Sequence, residues 1–152
     1  MINRAKSYKV MDILLVEDNP GDVRLMQEAL LFANTMVRMH VVADGLDAMA
    51  FLRHEGIYQH SPRPDVILLD LRLPNMNGYE VLSRIKADEK LKSIPAVVLS
   101  SSQDEADVGN SYQLHANSYL SKPQGSETFE GIVKCINEYW FARVRLPVVT
   151  FA

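Results

Sequence analysis

Residues 66–69 read Val-Ile-Leu-Leu, four side chains without a polar atom, and the run stops at Asp70. Residues 96–99, Ala-Val-Val-Leu, behave the same way and stop at Ser100. Runs this short and this uniformly apolar fit strands covered on both faces, the arrangement of a parallel sheet inside an α/β fold. The rest of the chain agrees. Residues 10–16 form another apolar run, ended by the polar turn Glu17-Asp-Asn-Pro-Gly21, and residues 35–42 alternate in the strand manner before Ala43-Asp44-Gly45. Residues 117–121 make a short fifth strand. Between the strands the apolar spacing turns helical over residues 22–32 (Val23, Met26, Leu30, Leu31), 46–54, 78–87 (Val81, Leu82, Ile85) and, more weakly, 104–114. The clearest helix spans residues 126–141, with Phe129, Ile132, Val133, Ile136 and Trp140 on one face and Ser126 suited to cap it. Strict βα alternation implies right-handed crossovers. Five such units predict a flavodoxin-like (βα)5 doubly wound sheet of order 2-1-3-4-5.

A chain of 152 residues suffices for one domain with its own core. The formal net charge of -3 excludes nucleic-acid binding through overall positive charge. No apolar stretch approaches the ~18 residues of a membrane span, and the basic start lacks an apolar segment behind it. The lone Cys135 cannot form an internal disulfide. These features predict a cytoplasmic protein that binds neither nucleic acid nor membrane. His40, His54, His60 and His115 share no metal-ligand spacing and read as surface or structural. Lys86, Lys90 and Lys92, interleaved with Asp88 and Glu89, read as a solvated face, and Cys135 as a small buried or interfacial residue.

Open parallel sheets bind ligands at the carboxyl ends of their strands. There the sequence sets Glu17 and Asp18 after the first strand, Asp70 after the third, Ser100 after the fourth and Lys122 after the fifth. One carboxylate in such a place is usually a solvated turn residue; agreement among four strand ends points to a shared site. Two like charges about 4 Å apart repel by roughly 4 kcal/mol at an effective dielectric near 20. Lys122 alone cannot offset three carboxylates, so a divalent cation is the natural partner. An all-oxygen set favours Mg²⁺ or Mn²⁺ over zinc. An aspartate beside such an ion, an ammonium and a hydroxyl can attack phosphorus and form an aspartyl phosphate.

The motifs Ile13-Leu-Leu-Val-Glu17-Asp18-Asn-Pro, Ala43-Asp44-Gly45 with Ala48, Val66-Ile-Leu-Leu-Asp70-Leu-Arg-Leu-Pro74 with Gly78, Pro95 with Ser100, and Tyr119-Leu-Ser-Lys122-Pro123 together resemble response-regulator receiver domains of the CheY type. The resemblance runs from about Asp12 to Trp140. It implies that Asp70 accepts a phosphoryl group from a sensor histidine kinase. Asp18, Asp70 and the backbone carbonyl of Arg72 would ligate the metal, with Glu17 acting through water. Lys122 would pair with the phosphate, Ser100 would close on it, and Tyr119 would turn inward as Ser100 moves. The peptide before Pro123 is expected to be cis. Departures from the pattern are Arg72, which could shield the phosphate or reach an acidic neighbour, the small Ser102, and His115 where many receivers have glycine.

A narrower resemblance, in Glu17-Asp-Asn-Pro-Gly-Asp22, Asn117-Ser-Tyr-Leu-Ser-Lys122 and Glu138-Tyr-Trp140, is to the single-domain regulators that partner cyanobacterial phytochromes. On this reading residues 1–142 form the receiver and residues 143–152 a tail without an output domain, so that output is docking or onward phosphotransfer in a phosphorelay. Tyr139, Trp140 and Phe141 followed by apolar Val144, Leu146, Val148, Val149 and Phe151 suggest an interface. The resemblance favours a homodimer, with Tyr139, Trp140, Phe141, Leu146 and Val148 as its residues. Three other functions compete. A haloacid-dehalogenase-like Mg²⁺-dependent phosphatase or phosphotransferase would want Asp, not Arg, at position 72. A flavin or nucleotide binder would want a phosphate loop where Glu17 and Asp18 stand. A receiver-like scaffold that takes no phosphate would have no use for the intact acidic set.

Overall fold

The computed structural model describes residues 10–33, 36–124, 128–141 and 145–147. Five strands, β1 (Met11–Val16), β2 (Val37–Val42), β3 (Val66–Leu69), β4 (Ala96–Ser100) and β5 (Ser118–Ser121), pair in parallel in the order β2-β1-β3-β4-β5. The flavodoxin-like order expected from the sequence is the one observed. Apolar content explains the ranking. The almost wholly buried β1, β3 and β4 take the centre, whereas β2 and β5, with partly exposed residues, take the edges.

Side chains alternate across a strand, so the central strands feed two cores. Leu14, Val16, Ile67, Leu69, Ala96 and Val98 pack on one face with α2 (Gly45–Arg53) and α3 (Gly78–Ala87). Ile13, Leu15, Val66, Leu68, Val97 and Leu99 pack on the other with α1 (Pro20–Ala33) and α5 (Phe129–Cys135). Of the α1 residues at helical spacing, Met26 is buried and Val23 and Leu30 pack against this core, but Leu31 is exposed, and Ala29 takes the buried place instead. The small Ala29 lets α1 lie close to the sheet. The fourth helix, α4 (Glu105–Gln113), buries only Ser111, in keeping with its weak apolar period.

The last helix departs from a regular α-helix. It starts at Phe129 after Thr128, and from Ile136 to Phe141 its turns widen into a π-helix. Ser126, the expected cap, lies outside the described residues. Phe129, Val133 and Ile136 are buried as their spacing predicts, and Ile132 and Trp140 pack partly against the same core. Cys135 falls on the exposed side of this helix, not in the core.

One residue of α3 corrects the sequence reading. Lys86 is not part of a solvated face: its ammonium donates to the carbonyls of Lys92 (3.0 Å) and Ile94 (3.1 Å) and to Asn117 Oδ1 (3.0 Å), so all three protons are used. Asn117 Oδ1 also accepts from the Ala96 amide at 2.9 Å, which ties the start of β5 to β4. His115 adopts φ 70°, the left-handed conformation that glycine reaches without cost, so the backbone of this loop keeps the shape that suits glycine although a histidine stands there.

Candidate functional site

Each strand end delivers its functional side chain through a specific backbone tie. The Glu17 amide donates to Val42 O at 3.0 Å, and the Asp70 amide donates to Val16 O at 3.0 Å, so the ends of β2, β1 and β3 lie level. The Lys122 amide donates to Ser100 O at 2.8 Å and sets the residue after β5 against the end of β4. Asn19 then starts α1, its Oδ1 accepting from the amides of Gly21 (2.9 Å) and Asp22 (3.2 Å). Two glycines permit the close approach of the flanking helices. A Cβ on Gly78 would overlap the Asp70 carbonyl oxygen and Leu71 Cα, and one on Gly45 would overlap the Met76 backbone. Asp44 caps α2 through the Asp47 amide (2.7 Å) and accepts from Asn75 Nδ2 (2.8 Å), which gives the Ala43-Asp44-Gly45 motif its structural role.

The result is one acidic pocket. Glu17, Asp18 and Asp70 each present a carboxylate oxygen, and these oxygens all lie within 4.8 Å of one another. Glu17 and Asp70 are buried and Asp18 is exposed. The buried Lys122 Nζ reaches Glu17 Oε1 at 2.5 Å, Asp22 Oδ2 at 3.0 Å and Asp70 Oδ2 at 3.3 Å. Burial is the largest influence on Lys122 and favours its neutral form. The hydrogen bonds from Glu17 and Asp22 and the charge of Asp70 outweigh it and hold the ammonium above its ordinary value. Glu17 is pushed up to about 7, first by burial and then by the Asp70 carboxylate, against the Lys122 hydrogen bond. The excess of carboxylates over cations raises Lys122 and adds to the effect of burial on Glu17. Its donors are hard oxygens clustered within the span of one ion, and they fit a divalent cation such as Mg²⁺ or Mn²⁺.

Ser100 is buried at the end of β4, where its Oγ accepts from the Ser102 amide at 3.2 Å. From Ser102 a polar network runs outward. Its hydroxyl donates to Asp107 Oδ2 (2.6 Å) on α4, and its carbonyl accepts from Tyr119 OH (2.7 Å) on β5. The phenol of Tyr79 on α3 donates to Asp107 Oδ1. The Ser102 hydroxyl and then the Tyr79 phenol hold the Asp107 carboxyl below its ordinary value, while burial and the same contact push Tyr79 up to about 12. Arg72, mostly exposed, lies 4.0 Å from Asp107 Oδ2, so of the two options for this long cation it takes the acidic neighbour. Leu71, Arg72, Leu73, Asn77, Tyr79 and Asp107 line a groove of about 410 Å³ beside the Asp70 loop.

Of the residues expected at the site, Glu17, Asp18, Asp70 and Lys122 come together, with Ser100 at the neighbouring strand end. Tyr119 sits half-buried against the α2–α3 core with its hydroxyl on the loop after β4. The Arg72 amide is 3.4 Å from Asp70 Oδ1. One expectation fails: among the described residues no peptide bond is cis, so the bond before Pro123 is trans. The trans form is the intrinsically favoured one for an Xaa-Pro bond, and Lys122 reaches its three carboxylates with it. Sequence reasoning gives Asp22, Tyr79 and Asp107 no role at the site and marks Ser102 only as a small residue that departs from the receiver pattern. Asp22 was signalled only by its place in Glu17-Asp-Asn-Pro-Gly-Asp22; Asp107 and Tyr79 carried no signal, because α3 and α4 meet only in the fold.

Of the candidate interface residues, Tyr139 is exposed and its ring meets that of Trp140 edge-on at 5.3 Å, while Leu146 is half-buried. Trp140 itself packs partly on its own core. The side chain of Phe141 and the whole of Val148 lie outside the described residues.

Comparison with known proteins gives this pocket its family. The model of the response regulator receiver domain matches residues 13–134. Response regulator Rcp1 of Synechocystis sp. is 47% identical over 135 residues, which cover 89% of this chain and 92% of Rcp1. The crystal structure of the phosphorylated cyanobacterial phytochrome response regulator RcpA superposes with a TM-score of 0.86 at 48% identity, covering 92% of this chain and all of RcpA. That of the Mn²⁺-bound form of Rcp1 superposes with a TM-score of 0.84 at 46% identity, covering 91% of this chain and 99% of Rcp1. With its acidic pocket at the carboxyl edge of a 2-1-3-4-5 sheet, this chain belongs to the response regulator receiver family.

Proposed function

We propose that the chain is a phosphorylation-controlled switch whose acceptor is Asp70, fed by a sensor histidine kinase of the phytochrome type. The observation that carries this reading is the convergence of Lys122 Nζ on Asp70 and Glu17, delivered by three separate strand ends. In the transfer an Asp70 carboxylate oxygen forms a bond to phosphorus as the N–P bond of a phosphohistidine breaks, and the imidazole leaves and takes up a proton. Glu17, Asp18 and Asp70, with the Arg72 carbonyl, would hold Mg²⁺ or Mn²⁺, which supplies neutralisation of the phosphoryl charge. Lys122 pairs with the phosphoryl oxygens. Ser100 donates its hydroxyl proton to a phosphoryl oxygen while its Oγ still accepts from the Ser102 amide, so the loop moves with it and Tyr119, bound to the Ser102 carbonyl, follows.

The kinship to Rcp1 and RcpA supports the phytochrome-type kinase. It also supports a signalling role in the cytoplasm, with no metabolic turnover and a phosphorelay or docking protein downstream. Among the described residues no helix is long and apolar enough to cross a membrane. The net charge gives nucleic acid no electrostatic hold. The exposed Tyr139 at the end of the last helix supports a homodimer through that end and the tail, which would also use Trp140, Phe141, Leu146 and Val148.

Incubation with Mg²⁺ and acetyl phosphate, followed by intact-mass measurement, tests the acceptor. The expected result is one base-labile phosphoryl adduct, lost in Asp70→Asn. No adduct on the native chain, or an undiminished one on the variant, would overturn the reading; steady turnover of a phosphorylated metabolite would favour a phosphatase instead.

A further inference from the structure

Lys122 has no proton to spare. An ammonium offers three N–H donors and no acceptor, and three carboxylates surround it: Glu17 at 2.5 Å, Asp22 at 3.0 Å and Asp70 at 3.3 Å. Two of these belong to the acidic set that would hold a cation; Asp22 does not, and its described contact with the pocket is through Lys122. Asp22 comes from the first turn of α1, fixed by its amide on Asn19 Oδ1, and its side chain is the most exposed of the three at 25%, against 2% and 10% for Glu17 and Asp70.

A phosphoryl group on Asp70 brings further oxygens and a charge near -2 at neutral pH. Lys122 can meet it only by releasing a carboxylate and moving outward along Asp70. Until then Asp22 draws the ammonium toward α1 and adds a fourth negative charge beside the entering dianion. Competition for the ammonium and repulsion of the donor act in the same direction.

We propose that Asp22 is a positioning residue that holds the Lys122 ammonium on the α1 side of the pocket and thereby slows phosphorylation of Asp70. The inference rests on the reading of Asp70 as phosphoacceptor. The Asp22 contact is the one that yields, because its carboxylate can be rehydrated where that of Glu17 cannot.

Two measurements on the full chain test it. The first is the rate of adduct formation with Mg²⁺ and acetyl phosphate, in which Asp70 forms an O–P bond and acetate departs. Asp22→Asn keeps an oxygen acceptor and removes the charge, and should speed the reaction on the order of threefold to tenfold. Asp22→Glu should keep it within about twofold of native. The second is the ¹⁵Nζ resonance of Lys122 without donor, assigned through Lys122→Arg. In Asp22→Asn it should shift and its ammonium protons should exchange faster with water, changes that a mere loss of helix-start charge would not produce. An Asp22→Asn rate equal to or below native, or an unmoved Lys122 resonance, overturns the inference while leaving the acceptor intact. A native chain that takes no adduct overturns both.

Discussion

Burial forces Glu17 to choose between a proton and a cation. Its value in the fold, about 7, lies above the ordinary 4.5, so the protonated form favours the folded state. That contribution is complete below about 4.5, shrinks as the pH rises toward 7 and is gone above it. After allowance for screening it is worth about 1–3 kcal/mol. The metal-free protein should therefore melt lower at pH 7.5 than at pH 5. Excess Mg²⁺, which binds the ionised carboxylates, should narrow the gap, and Glu17→Gln should flatten it. Thermal melts in chelator and in Mg²⁺ measure this; equal slopes for the native chain and Glu17→Gln would refute it. The acidic residues themselves were legible because strand ends are readable and the fold class states where strand ends go. Their common hold on Lys122 was not, because Asp22 and Lys122 are a hundred positions apart and meet only once α1 lies against the loop after β5.

At the scale of elements, α3 is located by what is missing from Gly78. Its amide donates to Leu71 O at 2.8 Å, and Asn77 caps the helix through the Glu80 amide at 3.0 Å. A methyl at position 78 has nowhere to go but into the Asp70–Leu71 backbone. Gly78→Ala should cost about 1–3 kcal/mol and disturb phosphorylation of Asp70. Gly109 in α4 and Gly131 in α5 have nothing within 4 Å of a built Cβ, and alanine there should stabilise by roughly 0.5–1 kcal/mol. Denaturant midpoints of the three variants decide the matter; a harmless Gly78→Ala would sink the account. Elements of strong period were readable in advance, as Val81, Leu82 and Ile85 of α3 show by their burial. The widening of the last helix into a π-helix was not, since the spacing of Phe129, Val133 and Ile136 is that of an ordinary α-helix and carries no sign of the wider turns after Ile136. The trans bond before Pro123 escaped for the opposite reason: the expectation came from resemblance alone.

The whole molecule is asymmetric about its sheet. Beside β5, α4 buries a single serine, and polar bonds among Tyr79, Ser102, Asp107 and Tyr119 do what apolar packing does elsewhere. The far end of the last helix exposes Tyr139, consistent with the proposed dimer. Sedimentation of a chain ending at Ala142 should show a monomer where the full chain shows a dimer; an unchanged dimer would remove the tail from the interface. Ser102 makes the asymmetry consequential. One amino acid grips the hydroxyl of Ser100 with its nitrogen, α4 with its side chain and β5 with its carbonyl. A displacement of that hydroxyl would pull on α4 and β5 together, so occupancy of the pocket would be felt at the outer edge of the sheet.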